Sequence, residues 1–402
     1  MRIIFVILDG AADRGAITPL KKARIPNLNY LGKNGITGLI YSVKKGISPE
    51  SDIGVMSLLG YNPLKYYTGR GPLEMYGSEI KLKKFLALRA NFATCAGNKI
   101  IDRRVARTLS SKEARILANS INKNLKLNKK FVFLPTIEHR GVLVFKESLP
   151  SNITNTDPAY VKKGVFSKPN VSKDKIDNEL QLSRPLVKNA KISSSLVNEF
   201  TIKSMEILRN HPINKIRIRK GLLPANLILL RDAGNKLPNL PKKKNWISVS
   251  SMPLEIGISR LAGFKVKKAR MSEESNYYKN LELVANEAIK TIKNNPKANV
   301  YVHFKETDIP GHDGNFEEKV KMLEFLDKKF FSKIKQIKNS IIVVTSDHAT
   351  PCSLKAHSAD PVPILVYGLL KKKSTNFNEI DCKNGSIKLK HGYDLMDLIH
   401  NI

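Results

Sequence analysis

Five residues in the C-terminal half, Asp308, His312, Asp347, His348 and His357, are all of types that hold divalent cations. Carboxylates mixed with neutral imidazoles suit Zn, Mn, Fe or Co, whereas a wholly oxygen set suits Mg or Ca. Each residue alone has a plainer account. Asp347 could end a turn, and a lone histidine is usually an ordinary surface or core side chain. The grouping argues otherwise, because three of the eight histidines fall here, each beside an acid or at the end of an apolar run. A two-metal hydrolase or transferase is the chemistry such a set performs.

Ser51 is the candidate nucleophile. It lies in the segment Gly46–Tyr61, where polar chain gives way to an apolar-periodic run, the position of a helix N-cap. As a cap it needs no chemistry. Beside bound cations, at the positive end of a helix dipole, its alkoxide would be favoured for in-line attack on phosphorus. Residue chemistry leaves both readings open.

These residues need elements to place them. Ile3–Leu8 is a short, continuously apolar, β-branched run. That pattern suits a strand covered on both faces of a parallel sheet. It ends at Asp9-Gly10, so a carboxylate stands at the carboxyl edge of a strand, where open α/β sheets build their sites. Asn299–Phe304 is a matching strand that leads into Asp308 and His312, and Ile341–Thr345 leads into Asp347-His348. Pro363–Tyr367 reads as one more strand, 25–34 as a helix, and 316–337 as an amphipathic helix with Val320, Leu323, Leu326, Phe330 and Ile334 on one face. Strand, acid, helix, strand, acid is the rhythm of a doubly wound α/β domain.

The middle of the chain differs. Phe131–Pro135 and Gly141–Phe145 look antiparallel, 195–210 looks helical, and Ser167–Ser183 is Lys-, Asp- and Ser-rich, reading as loop. The expectation is a discontinuous α/β domain of residues 1–80 and 241–402, interrupted by an inserted α+β domain of residues 81–240. A length of 402 residues accommodates both.

Composition narrows the function classes. With 69 Lys+Arg against 35 Asp+Glu the formal net charge is +34, a field that attracts any polyanion. The lysines are scattered, however, and no RNA-binding or zinc-finger segment is present, so nucleic-acid binding is disfavoured as the main role. The three cysteines match no metal or redox spacing, which reads as free thiols in a reducing cytoplasm. The N-terminal apolar run of six residues is too short for a signal peptide, and no stretch approaches the ~20 residues of a membrane span. The expectation is a soluble cytoplasmic protein. The sequence carries no signal for an oligomeric state.

The chain resembles the archaeal-type 2,3-bisphosphoglycerate-independent phosphoglycerate mutases of the alkaline-phosphatase superfamily. The matching stretches run in family order: Leu8-Asp9-Gly10; Pro49-Glu50-Ser51-Asp52; Gly60–Pro63 with Tyr66–Pro72; Leu230–Gly234; Lys305–Gly314; and Ser346–Ser358. The resemblance implies an alkaline-phosphatase-like α/β domain interrupted by a substrate-holding domain. It implies one metal on Asp308, His312 and His357, and another on Asp9, Ser51, Asp347 and His348, with Ser51 both ligand and nucleophile. The expected cofactors are two divalent ions, Mn first and Co, Zn or Mg in its place, with no 2,3-bisphosphoglycerate. Two stretches depart from the family. Glu50-Ser51-Asp52-Ile53-Gly54 replaces the usual Gly-Ser-Asp-Thr-Ala, and Met271–Tyr278 is unlike it.

The implied reaction interconverts 3-phosphoglycerate and 2-phosphoglycerate, a small-molecule substrate, through a phosphoserine. Such a reaction needs cationic clamps, and the planar fork of arginine pairs bidentately with phosphate or carboxylate. Arg103, Arg104, Arg140 and Arg231 are the candidates, with Arg89. It also needs closure against water, without which the same centre is a metal-dependent phosphomonoesterase. That activity, or another small-metabolite phosphotransfer, is the alternative. A nucleotide kinase is disfavoured by the lack of a Gly-x-x-x-x-Gly-Lys-[Ser/Thr] loop.

Overall fold

The structure is a computed structural model that describes residues 1–164, 166–169, 178–272, 276–368 and 374–401. It divides into two compact units. The first comprises Met1–Tyr67, Asn239–Ser272 and the chain from Asn276 onward; the second is Thr68–Pro238.

The first unit is built on an eight-stranded sheet. Its spatial order is Lys265–Lys268, Trp246–Ser250, Asn299–Phe304, Arg2–Leu8, Ser340–Thr345, Val362–Tyr367, Ile36–Ile40 and Ile387–Leu389. The first five are mutually parallel, while Val362–Tyr367 runs antiparallel to both its neighbours. The central runs are continuously apolar because helices cover both faces. The edge strand Lys265–Lys268 is instead lysine-rich and exposed, which discourages edge pairing. The helix Tyr277–Asn294 packs Leu281, Val284, Ala288 and Ile292 into the same core as Val300, Val302 and Phe304. Within Met271–Tyr278, residues 273–275 lie outside the described residues.

The 316–337 helix is not one α-helix. Phe316–Leu326 passes into a π-turn at Asp327–Phe331 and resumes at Ser332–Ile334. The five expected apolar residues are all buried in the core. The wide turn lets the buried Asp327 carboxylate accept N–H bonds from Leu28 (2.8 Å) and Asn27 (3.2 Å), at the start of the helix Pro26–Lys33.

The second unit is an antiparallel sheet under two helices. The long strand Leu86–Ala96 pairs with Lys99–Asp102, Arg140–Phe145 and Leu227–Gly234, and Arg140–Phe145 pairs with Phe131–Pro135. The helices Ser111–Asn124 and Lys191–Arg209 bury Leu117, Ile121, Val197 and Phe200 against Leu88, Phe92, Phe133 and Phe145. A capping box between Ser110 and Glu113 starts the first of them. Ser167–Ser183 is not all loop, since Phe166–Pro169 pairs with Tyr160–Lys163; residues 170–177 lie outside the described residues.

The first break between the units falls after Tyr67, not at residue 80 as expected from sequence. The helix Arg70–Gly77 packs on Leu86–Ala96 and Leu227–Gly234, and its Glu74 carboxylate is paired with Arg70 (2.6 Å) and Arg89 (3.5 Å). The strand Leu227–Gly234 on which this helix packs lies some 150 residues along the chain, so nothing local marks the break.

Candidate active site

The central strand Arg2–Leu8 lies between Asn299–Phe304 and Ser340–Thr345, with Leu8 level with Phe304 and Ile7 with Thr345. Three strands therefore end side by side. Asp9, the turn Glu306–Asp308 and the pair Asp347-His348 leave that edge together. Cross-bonds lock the edge: Asp9 N–H donates to Phe304 O at 2.9 Å, and the Ser346 hydroxyl donates to Leu8 O at 2.7 Å. Gly10 turns the chain with φ +56°, and a Cβ there would stand 2.3 Å from Asp308 Oδ1. Only glycine fits.

Ser51 is the first residue of the helix Ser51–Leu58, and Glu50 is its N-cap without a side-chain cap bond. The Ser51 hydroxyl is therefore not the cap; it is buried and turned to the acids. It lies 2.9 Å from Lys305 Nζ, 3.3 Å from His348 Nε2 and 3.4 Å from Asp9 Oδ2. The helix reaches this position because Gly54 packs directly on the backbone of Asp347, where a Cβ would come within 2.4 Å of its carbonyl oxygen.

All seven sequence-derived residues meet at this edge. His348 Nε2 is 3.4 Å from Asp9 Oδ1, 3.4 Å from Asp347 Oδ2 and 3.3 Å from Ser51 Oγ. Beside them, His312 Nε2 is 3.2 Å from Asp308 Oδ2 and 3.2 Å from His357 Nε2, which is 3.8 Å from Asp308 Oδ1. Donor atoms of Asp308, His312 and His357 all lie within 4.8 Å of one another, as do those of Asp9, Asp308 and His348.

Three observations fit these residues to divalent cations. Asp9 Oδ1 and Asp347 Oδ2 are buried with no hydrogen-bond partner among the described residues. Leaving charged acceptors so costs more than the ~1–3 kcal/mol of a neutral group. Second, donors about 2.1 Å from a tetrahedral ion stand about 3.4 Å apart, the spacing found around His348 Nε2. Third, each of the three histidines turns Nδ1 to an oxygen: His312 to Lys355 O (3.2 Å), His357 to Pro49 O (3.0 Å), His348 to Thr350 Oγ1 (3.0 Å). Carbonyl oxygens only accept, and Thr350 spends its own proton on Asp308 Oδ1 at 2.7 Å. Each Nδ1 therefore carries a hydrogen, so Nε2 is the nitrogen that each ring would give to a metal, His348 losing its second proton as the ion binds.

The protein's own charges strain this cluster. Burial lowers the His348 imidazolium, but Asp347 and Asp9 outweigh it and push it up to about 9. Burial raises Asp347, and the Asp9 charge raises it further. Asp9 is pushed up by burial too, yet Lys305 and its histidine neighbours hold it well below the usual range. Burial and the positive His348 push His357 down to about 3.

Three participants carry no role in the sequence reading. Lys305 donates to Asp9 Oδ2 at 2.5 Å and to Ser51 Oγ; its place just after a strand and three residues before Asp308 was the available signal. Thr350 links His348 to Asp308, and its carbonyl accepts from the buried Lys319 at 2.9 Å. His303 contacts Asp9 from within the strand.

The candidate arginines lie in the second unit, in two groups. Arg103 pairs bidentately with Asp157 (2.8 and 2.5 Å), and Arg231 stands 4.0 Å from the same carboxylate with its guanidinium 3.7 Å over the Tyr160 ring. Arg140 pairs with Glu138 at 3.2 Å. Arg140, Arg104, Arg89 and Arg107 act together on the buried His139: burial first, then these charges, hold it well below its usual value. Burial, Arg231 and Arg70 push Arg89 down to about 9. The turn carrying Arg104–Arg107 is strained, with Val105, Ala106 and Arg107 at φ 54°, 47° and 55°. Asp102 Oδ1 holds it by accepting from the N–H groups of Arg104 (2.7 Å) and Ala106 (2.8 Å). Arg70, Arg107 and His139 were not foreseen from sequence.

A parallel-sheet edge with buried carboxylates, imidazoles and a serine hydroxyl defines an α/β protein whose site groups together residues that could hold metal ions. Residues 32–214 match the family described as 2,3-bisphosphoglycerate-independent phosphoglycerate mutase. A mutase of that name from Aeropyrum pernix is 41% identical over 421 aligned residues, covering 96% of each chain. One from Thermoplasma volcanium is 36% identical, covering 96% of this chain and 93% of the relative. Among solved structures, the cofactor-independent phosphoglycerate mutase of Thermoplasma acidophilum is 30% identical with a TM-score of 0.57, covering 100% of this chain and 99% of its own. A Pyrococcus horikoshii protein reaches a TM-score of 0.78 at 26% identity, covering 100% and 96%. The chain belongs to the 2,3-bisphosphoglycerate-independent phosphoglycerate mutase family. Among the described residues, no helix is long and apolar enough to cross a membrane.

Proposed function

We propose that this protein interconverts 3-phosphoglycerate and 2-phosphoglycerate through a phosphoserine at Ser51, with two divalent ions and without 2,3-bisphosphoglycerate. The observation that carries the reading is the surround of Ser51 Oγ: an ammonium at 2.9 Å, an imidazole at 3.3 Å and a carboxylate at 3.4 Å. Asp9, Asp347, His348 and Ser51 would hold one ion; Asp308, His312 and His357 would hold the other. Mn is the proposed ion, with Co, Zn or Mg in its place, and mixed carboxylate and imidazole donors can accept each of them. Bound there, the ions supply Lewis-acid polarisation and charge neutralisation.

The residues do the rest. The Ser51 hydroxyl proton points to Asp9 Oδ2, and Lys305 Nζ donates to Ser51 Oγ, so oxygen charge developing during attack on phosphorus is met by an ammonium. Burial opposes that ammonium, but Asp9 and Asp308 raise its pKa, so it stays charged. The phosphorus–oxygen bond to glycerate breaks as the bond to Ser51 forms, and the proton given up by the Ser51 hydroxyl is balanced by the one the freed glycerate oxygen takes up. The return step places the group on the other hydroxyl. In the second unit, Arg103, Arg104, Arg140 and Arg231 are assigned to the phosphate and carboxylate of the substrate. The first unit then serves metal and transfer, and the second serves substrate holding. The cytoplasm is the proposed location, in keeping with three buried free cysteines.

The test is turnover of 3-phosphoglycerate by purified protein coupled to enolase, with Mn(II) and no 2,3-bisphosphoglycerate. Product formation is expected. Release of inorganic phosphate in its place would assign the site to a phosphomonoesterase.

A further inference from the structure

The geometry points to His303 as a positioning residue that locks Asp9 so that one of its oxygens is presented to a cation. This rests on the reading that Asp9 is a metal ligand.

His303 lies near Asp9 and Asp347 with donor atoms close enough to suggest a third ligand set. Its proton placement says otherwise. His303 Nε2 is 2.7 Å from Asp9 Oδ2, and an ionised carboxylate can only accept, so Nε2 carries the hydrogen. Its Nδ1 is turned away from the acids and lies 2.8 Å from the Tyr301 hydroxyl. In His312, His348 and His357 it is Nδ1 that faces an oxygen acceptor, and Nε2 is the atom turned to the carboxylates. His303 therefore has no lone pair aimed at an ion.

What it does is divide the labour of Asp9. Oδ2 receives His303 Nε2–H, Lys305 Nζ at 2.5 Å and the Ser51 hydroxyl at 3.4 Å. Oδ1 receives no hydrogen bond and lies 3.4 Å from His348 Nε2. A carboxylate with one oxygen saturated by fixed donors cannot rotate without breaking them. Glu255, a further acid near His303, is 3.9 Å from Nε2, too far to compete as acceptor. Tyr301 and His303 are both buried on the strand Asn299–Phe304, so the Tyr301–His303–Asp9 chain is set by the sheet itself. Supporting contacts of this type typically alter metal affinity by ~10–100-fold.

The experiment uses the full chain stripped of metal and titrated with Mn(II), free ion being followed by electron paramagnetic resonance. The parent should bind two ions. His303→Leu should weaken one site by ~10–100-fold and leave the other within about threefold. His303→Gln, whose amide N–H can reach Asp9 from the Nε2 position, should recover most of that loss, and Tyr301→Phe should weaken the same site by less. Two sites of parental affinity in His303→Leu, equal weakening of both, or no recovery in His303→Gln would each overturn the assignment. A parent that bound no Mn(II) would overturn the metal reading beneath it.

Discussion

The two units hold opposite charges by different means. In the first, carboxylates and imidazoles stand at adjacent strand ends, with Asp9 Oδ1 and Asp347 Oδ2 buried and bare. In the second, arginines outnumber acids around His139, Asp157 and Tyr160, on an antiparallel strand and a strained turn. A parallel-sheet edge is rigid and shared by three strands, so it suits donors that must agree to a few tenths of an ångström. Long guanidinium arms tolerate more, so a loop held by one carboxylate, Asp102, is enough to carry several of them. The contrast predicts that damage to the first site abolishes chemistry and damage to the second weakens binding.

The largest expected effect is Ser51→Ala. Loss of the nucleophile should reduce kcat by on the order of 10⁴-fold or more, while Mn content by elemental analysis stays within about twofold. Substantial residual mutase turnover would place the nucleophile elsewhere. Next comes removal of the ions. Chelation should abolish turnover and added Mn(II) should restore it, whereas Asp308→Asn should resist such rescue at low Mn(II). Turnover that survived exhaustive chelation would break the account of the first unit.

Smaller effects test the second unit. Arg231→Lys keeps the charge but loses the planar fork stacked on Tyr160, so KM should rise ~10–100-fold with kcat changed far less. An equal fall in kcat would mean the two sites are not divided as argued. The mildest variant is Asp102→Ala, which removes the acceptor for Arg104 and Ala106. It should raise KM by about tenfold and cost ~1–2 kcal/mol in a denaturant titration, with Asp102→Asn close to the parent, because its amide oxygen can still accept. Unchanged KM in Asp102→Ala would show that the strained turn does not serve binding.

Much of the first site was legible because residue type and strand exit coincide. Asp9, Asp347 and His348 each follow a run whose continuous apolar character already announces a buried parallel strand. Lys305 was equally visible but is one of many lysines, so composition masked it. His303 alternates with apolar residues inside a strand, where a polar residue signals nothing until its neighbours are known. The arginines were harder still. Arg103 and Arg231 are 128 positions apart in sequence, and in so basic a chain no local feature separates a clamp from a surface charge.

By itself the sequence determined the α/β rhythm, the donor types and their order, because periodicity and side-chain chemistry are local properties. Tertiary structure alone decided that Ser51 is not a cap, that the helix Arg70–Gly77 joins the second unit, and that Asp327 opens a π-turn. It also decided which nitrogen of each histidine carries hydrogen. A histidine's proton follows its neighbours, which include a residue two places along, Thr350 for His348 or Tyr301 for His303, and a carboxylate hundreds of residues away, Asp9. That is why the parts His348 and His303 play beside Asp9 could not be told apart from sequence alone.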